Sequence, residues 1–444
     1  MSRLNDILND YTAKNPVRFH MPGNKGKLNL GINISTDVTE LAFTDNLYNP
    51  DADTGIIHEL ENKITGCFFP ELNNIHSVIS CGGATLCIQS AILSLLRINA
   101  YKGKYLICDR LSHISLINTL ALLDITPLWV YESDSDNNIK DFSEAYGSEI
   151  IGVFMTSPDY YGIIKDIKAI SDICKKYSLP LIVDNSHGSH LAFHNNGELH
   201  PINEGVDISI DSVHKTLPAL TGAAILHTDK KFDKDMLRSS MRVFASTSPS
   251  FLILQSVEFM LECLTAHGGR DEHRILLDNI NYFKNEAENI GFRFDYFSTE
   301  PYRIILNADI GGKFLYEYLC SENIICEFYD AENVVIIPSI FNTRADFIAL
   351  LDALKKFAGK YQFCSQPYAK TIKAIKANTV LNLSQVLKLP RKKILTVDAA
   401  GKISAEAIAI YPPGVPIILP GEAIDENNID KIKQMREYIE VIDG

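Results

Sequence analysis

From about residue 75 to residue 230 the chain alternates short apolar runs with amphipathic stretches. The strand-like runs are Tyr105–Asp109, Leu128–Tyr131, Ile150–Thr156, Pro180–Asp184, Asp207–Asp211 and Ala223–Leu226. Between them lie stretches such as Asp166–Lys176, where apolar residues recur at helical spacing. This alternation predicts an α/β fold, a mostly parallel sheet with helices on both faces. Ligands of such sheets bind at the carboxyl ends of the strands.

The flanks read differently. Residues 1–60 are loop-rich and hold Phe19-His-Met-Pro-Gly-Asn24-Lys-Gly26, an arm expected to pack across other elements. Residues 250–290 read as long helices. Tyr302–Asn307 and Val334–Ile337 read as strands, and Thr343 caps a helix through Phe357 with Phe347, Leu350, Leu351 and Leu354 on one face. Beyond residue 365 come a basic helix, Lys370–Lys376, and a Pro-rich extended segment, Ile410–Glu422. The expected division is an arm (1–60), a large domain (61–290), a small α/β domain (291–364) and a C-terminal domain (365–444). A chain of 444 residues is long enough for that.

Composition narrows the partners. The net charge of −13 argues against nucleic acid and anionic membrane. Nine cysteines with no Cys-x-x-Cys pair point to reduced thiols and a cytoplasmic setting, and support no zinc site. The N-terminus lacks a signal-peptide core, and no run approaches the roughly 18 apolar residues of a membrane span.

The chemistry sits at two strand ends. Leu-Ile-Val-Asp184-Asn-Ser186-His187 is followed, thirty-one residues after Asp184, by Lys215 in Ser212-Val-His214-Lys215-Thr. A lysine amine can form an imine with an aldehyde cofactor, and a carboxylate can keep a pyridine nitrogen protonated. Alone, each motif reads as a surface His-Lys or a helix cap; together they point to pyridoxal 5'-phosphate. Cys81-Gly-Gly83-Ala84-Thr85 precedes an apolar helical run, so its amides and hydroxyl suit a phosphate. His113 follows a strand, where an imidazole can stack on a cofactor ring. His187 can bond the cofactor's phenolic oxygen, His190 reads as structural, and Ser212 and His214 are phosphate donors.

Together with Asp37-Val-Thr-Glu, Thr156-Ser-Pro-Asp-Tyr-Tyr-Gly162, Ser246-Thr247-Ser248-Pro-Ser250 and Tyr411-Pro-Pro-Gly…Pro-Gly-Glu422, these motifs run in the order seen in bacterial ornithine/lysine/arginine decarboxylases. Nearly the whole chain resembles that family, in the compact form without an N-terminal wing domain. The resemblance implies the aspartate-aminotransferase-like fold (pyridoxal-phosphate fold type I), with a seven-stranded sheet and a small C-terminal domain. It implies Lys215 as the Schiff-base lysine, Asp184 as the pyridinium partner and His113 as the stacking residue. Gly83, Ala84, Thr85, Ser212 and His214 are implied around the phosphate, with Ser186 and His187 beside the ring. Thr247 and Ser248 are implied to reach the phosphate of a neighbouring subunit in a homodimer or dimer-based oligomer. Glu422 is implied as the acid that takes the substrate's distal cation.

Two departures stand out. The family's usual Pro-Gly-His-Lys is Pro-Gly-Asn24-Lys25 here, and its Asp-Glu-Ala-His is Asp184-Asn185-Ser186-His187. The implied reaction is decarboxylation of lysine, ornithine or arginine, through a Schiff base and a quinonoid intermediate, to a polyamine-type amine. Two alternatives stay open. One is another reaction of the same cofactor, aminotransfer or a lyase, since the same lysine and aspartate serve those too. The other is a non-catalytic homologue.

Overall fold

The structure is a computed structural model, and it describes residues 3–27, 55–99, 103–131, 135–266, 269–296, 299–368, 376–410, 415–433 and 435–443. Asp37–Glu40, most of the expected Lys370–Lys376 helix and Tyr411–Gly414 lie outside them. The arm begins with a helix, Arg3–Ala13, which its polar sequence had not suggested, and continues into strand β1 (Val17–Phe19).

Seven strands form the central sheet: β2 (Ile75–Ser80), β3 (Tyr105–Asp109), β4 (Thr126–Val130), β5 (Ile150–Thr156), β6 (Leu181–Asp184), β7 (Ile208–Asp211) and β8 (Ala224–Asp229). Their order is β2-β8-β7-β6-β5-β3-β4, and β8 runs antiparallel to both of its neighbours. The other pairings are parallel. Both faces are covered, as a parallel sheet requires. Along β5 and β6, Phe154 and Ile182 turn to the face under the helices Gly83–Ile98 and Ile114–Leu122. Val153, Met155, Leu181 and Val183 turn to the opposite face, against Ile167 and Ile170 of the helix Ile167–Lys176. That period of two is why these runs read as continuous apolar segments. Truncating the fully buried Phe154 to Ala should cost about 3–5 kcal/mol.

Beyond the sheet, β9 (Ile304–Asn307), β11 (Phe328–Tyr329) and β12 (Asn333–Ile336) form an antiparallel sheet in the order β11-β12-β9. Strand β10 (Ile324–Cys326) pairs instead with β1, Val17 opposite Ile324, so the arm is stitched onto this part of the chain. Phe19 is buried there among Phe283, Phe347 and Leu350. The helix Arg344–Lys360 carries the capping box of Thr343 with Asp346 and buries Phe347, Leu350, Leu351 and Leu354, the face expected from sequence. The last part pairs β13 (Arg391–Leu395) with β16 (Tyr438–Ile442) and β14 (Ile408–Ile410) with β15 (Val415–Ile418). Leu383 and Leu419 insert into the core beneath the helix Ile114–Leu122, tying this segment to the central sheet. Among the described residues, no helix is long and apolar enough to cross a membrane.

Candidate active site

The carboxyl ends of β3, β5, β6 and β7 open on one cavity of about 320 Å³. The helix Gly83–Ile98 points its N-terminus into it. Its N-cap, Gly82, has no side chain to cap the helix, so the first-turn amides of Ala84 and Thr85 keep no intrahelical partner. Gly83 sits at φ +69°, a conformation that disfavours any side chain, and its own amide is taken by Gly222 O at 2.9 Å. An uncapped helix N-terminus facing a cavity is an anion site in waiting.

Lys215 stands in a helical turn, Val213–Thr216, directly after β7. Its Nζ lies 2.9 Å from Nε2 of His187. Burial pushes its amine down to about 8, against the pull of the Asp184 carboxylate. His187 is held well below the ordinary imidazole value by burial first and then by the Lys215 charge. Among the described residues its buried Nδ1 has no partner, and its ring meets Tyr160 edge-on at 4.7 Å.

Asp184 ends β6. Its Oδ1 accepts the Ser186 amide at 3.1 Å and the Ser186 hydroxyl at 2.5 Å. Ser186 in turn accepts from Ser212 Oγ at 3.2 Å. The Ser212 hydroxyl is therefore spent on this network. His214 donates Nδ1–H to Ala223 O at 2.9 Å, which leaves its other nitrogen free of that bond. His113 is the N-cap of the helix Ile114–Leu122, its Nδ1 accepting from the Ser115 amide at 3.2 Å. Burial lowers its pKa, Asp184 raises it and Lys215 lowers it, and all three groups line the one cavity.

Ten residues singled out from sequence thus line one cavity. Gly83, Ala84 and Thr85 form one wall; His113, Asp184, Ser186 and His187 form a second; Ser212, His214 and Lys215 close it. Sequence reading did not assign roles to Asp109, Thr156, Asp159, Tyr160 or Lys165, which also line it. Asp109 pairs with Lys165 at 2.9 Å. Their position at the ends of β3 and β5 and in the loop after β5 was the available signal, because those strands end on the same edge as β6 and β7.

Three expected residues lie elsewhere in the chain. Thr247 and Ser248 are exposed, in the turn before the helix Phe251–Ala266. Glu422 is 2% exposed and does not line the cavity. Its Oε2 takes the Arg110 guanidinium at 3.0 Å and the Leu419 amide at 2.7 Å. Arg110 is fully buried against Trp129. Within one chain the Glu422 charge is thus already matched. Asn24 is likewise away from the cavity: Nδ2 bonds Ala219 O at 3.2 Å and Oδ1 accepts the Gly26 amide at 2.8 Å. The neighbouring Gly23 packs so tightly on Thr216 and Leu217 that a Cβ would lie 2.6 Å from the Leu217 carbonyl. Asn24 thus shapes the loop beneath the Lys215 turn and does not line the cavity. His190 is a core residue, bonded to Glu300 at 3.1 Å.

His200, Asp211 and His227 bring their polar atoms within 4.8 Å of one another. The His200 Nδ1 accepts the Ile202 amide at 3.3 Å, so its Nε2 carries the proton given to Asp211 at 3.0 Å. That proton occupies the lone pair a metal would need, and the trio reads as a buried hydrogen-bond network around Asp211.

The cavity residues fit pyridoxal phosphate: an uncapped helix terminus for the phosphate, a lysine with a depressed pKa, a carboxylate with one oxygen tied and a buried imidazole with one nitrogen unpartnered among the described residues. Residues 3–303 match the family model described as the Orn/Lys/Arg decarboxylase major domain, and residues 368–443 match that family's C-terminal domain. An arginine decarboxylase from Bacillus subtilis is 25% identical, over 96% of this chain and 91% of that protein. The structure of the constitutive lysine decarboxylase of E. coli superposes with a TM-score of 0.71 at 16% identity, covering 100% of this chain and 78% of that one. The serine palmitoyltransferase of Sphingomonas wittichii superposes at 0.57 with 14% identity, over 78% of this chain and 87% of that one. A cavity at the strand ends lined by Lys215 and Asp184, and a family match over more than half the chain, lead to one assignment: the chain belongs to the Orn/Lys/Arg decarboxylase family, as an amino-acid decarboxylase that uses pyridoxal 5'-phosphate.

Proposed function

We propose that this protein decarboxylates a basic amino acid (lysine, ornithine or arginine) to the corresponding amine, with Lys215, Asp184 and His113 as its catalytic residues. The observation that carries the reading is their convergence, with the uncapped Gly83–Ile98 helix terminus, on a single cavity. When bound, pyridoxal phosphate supplies the sink for the electron pair released as carbon dioxide leaves.

The chain's own groups do the rest. Lys215, with an amine near 8, is partly unprotonated at neutral pH and is the nucleophile that holds the cofactor aldehyde. Asp184 holds a proton at the ring nitrogen with the oxygen that Ser186 leaves free. Ala84 and Thr85 present amides, with Thr85 adding a hydroxyl, to the phosphate, and His214 faces it from the other side. His113 Nδ1 is occupied by the Ser115 amide, so Nε2 carries the proton, and a neutral ring suits stacking on the cofactor. Lys215, released from the cofactor, or His113 returns a proton to Cα. Thr247 and Ser248, exposed in one chain, complete the phosphate site of a second chain in a homodimer. Glu422 takes the substrate's distal cation only if Arg110 releases it. The amine products belong to polyamine formation. The chain divides into an arm (1–60), a large cofactor-binding domain (61–290), a small α/β domain (291–364) and a C-terminal domain (365–444). The test is direct: purified protein is incubated with cofactor and each of the three amino acids, and the amine is identified. Formation of cadaverine, putrescine or agmatine is expected; none of them, with cofactor bound, would end this reading.

A further inference from the structure

We infer that the Ser186 hydroxyl is a positioning residue that decides where the proton between Asp184 and the cofactor's ring nitrogen rests. The inference builds on the assignment of Asp184 as the ring's partner. Asp184 Oδ1 receives two donors, the Ser186 amide and the Ser186 hydroxyl. Among the described residues, Oδ2 receives none, and Asp184 lines the cavity. One oxygen is therefore tied back and the other is presented.

The direction of the hydroxyl chain follows from its end. A carboxylate only accepts, so Ser186 O–H donates to Asp184, and its oxygen is left to accept from Ser212 Oγ at 3.2 Å. Ser212 follows β7 and Ser186 follows β6, so two strands feed one carboxylate oxygen. The Ser186 amide alone already closes the local turn after Asp184, so the hydroxyl is surplus to the backbone.

Hydrogen bonds to a carboxylate favour its charged form and lower its affinity for a proton. When that carboxylate shares one proton with a ring nitrogen, the weaker base loses it. Ser186 weakens Asp184, so the proton stays on the ring and the ring stays cationic, the better electron acceptor. Without the hydroxyl, Asp184 becomes the stronger base and draws the proton toward itself. Both Ser186 and Asp184 are almost fully buried, where water does not replace the lost donor.

The experiment uses full-length holoenzyme loaded with pyridoxal phosphate labelled with ¹⁵N in the ring, as parent, Ser186→Ala and Ser186→Thr. The Ala variant should move the ring ¹⁵N resonance toward the unprotonated position and lower kcat roughly tenfold with KM little changed. The Thr variant keeps a hydroxyl and should leave both near the parent's values. A parent that decarboxylates, with a resonance unmoved in Ser186→Ala, overturns this inference alone, as does a Thr variant that moves it as far as Ala does. A parent that takes up no cofactor overturns the functional reading and this inference with it.

Discussion

Lys215 Nζ lies 2.9 Å from Nε2 of His187, so the lysine's neighbour is an imidazole that burial keeps neutral. A neutral ring offers a nitrogen lone pair to the amine and adds no second positive charge beside it. Burial is the main reason the Lys215 pKa falls from 10.5 to about 8.

The first prediction follows from that number. The reacting form is the free amine, which grows as pH rises through the pKa. Cofactor uptake by the apoprotein should therefore speed up with pH and level off above about 8. Stopped-flow absorbance would follow it, and borohydride should then fix the label on Lys215. A midpoint above about 10, the range of an exposed lysine, or a label on another lysine would remove Lys215 from its role.

Asp184 gives the second. Asp184→Ala should still bind some cofactor, because the proposed phosphate site, the uncapped terminus of the helix Gly83–Ile98, does not depend on this carboxylate. Turnover should fall by several powers of ten, because an unprotonated ring is a poor electron sink. Single-turnover kinetics on the loaded variant separates the two effects. Near-parental turnover would make Asp184 a structural residue.

The site was legible in the sequence where chemistry sits at strand ends. Tyr105–Asp109 and Ile150–Thr156 are strands to the residue, and the apolar run before Asp184 places that carboxylate at the edge. Strand β2 was not singled out because polar His76 and Ser77 break its pattern. Ser77 is buried all the same, bonded to Thr65 and His227, contacts from other parts of the chain. The strand expected at Leu128–Tyr131 lies at Thr126–Val130, shifted toward Pro127, which pairs on the sheet's outer edge. The partner of Glu422 was not legible at all. Arg110 is 312 residues away, and no local pattern encodes a contact at that distance. The motif identified the acid but not what occupies it.

The third prediction concerns assembly. Thr247 and Ser248 are exposed and outside the cavity of their own chain, so any part they play is in another chain's site. A Lys215→Ala chain lacks the nucleophile, and a Thr247→Ala/Ser248→Ala chain lacks the donated hydroxyls. Mixed dimers would contain one intact site. Mixing the two, with exchange of subunits, should restore activity that neither has alone at limiting cofactor. The double variant alone should bind cofactor about tenfold more weakly, the worth of a charge-assisted hydrogen bond. Unchanged affinity, or no recovery despite proven exchange, would mean the turn is not part of a shared site.

The last prediction separates two roles for Glu422. Its carboxylate meets Arg110 at 3.0 Å, with both side chains buried and the Arg110 head also near the carbonyls of Pro416 and Ile417. Burial raises the Glu422 pKa and Arg110 opposes it. Breaking such a pair by removing one charge leaves the other buried and unmatched, a loss on the order of 3 kcal/mol. Glu422→Gln should therefore lower the denaturant midpoint, and Arg110→Met/Glu422→Leu should recover much of the loss, because a buried pair replaced by apolar groups is close to neutral. If Glu422 instead serves the substrate, Glu422→Gln should keep the parental midpoint and raise KM for lysine, ornithine or arginine. Stability and KM measured on the same preparation decide between a carboxylate locked to Arg110 and one released to meet a cationic head group.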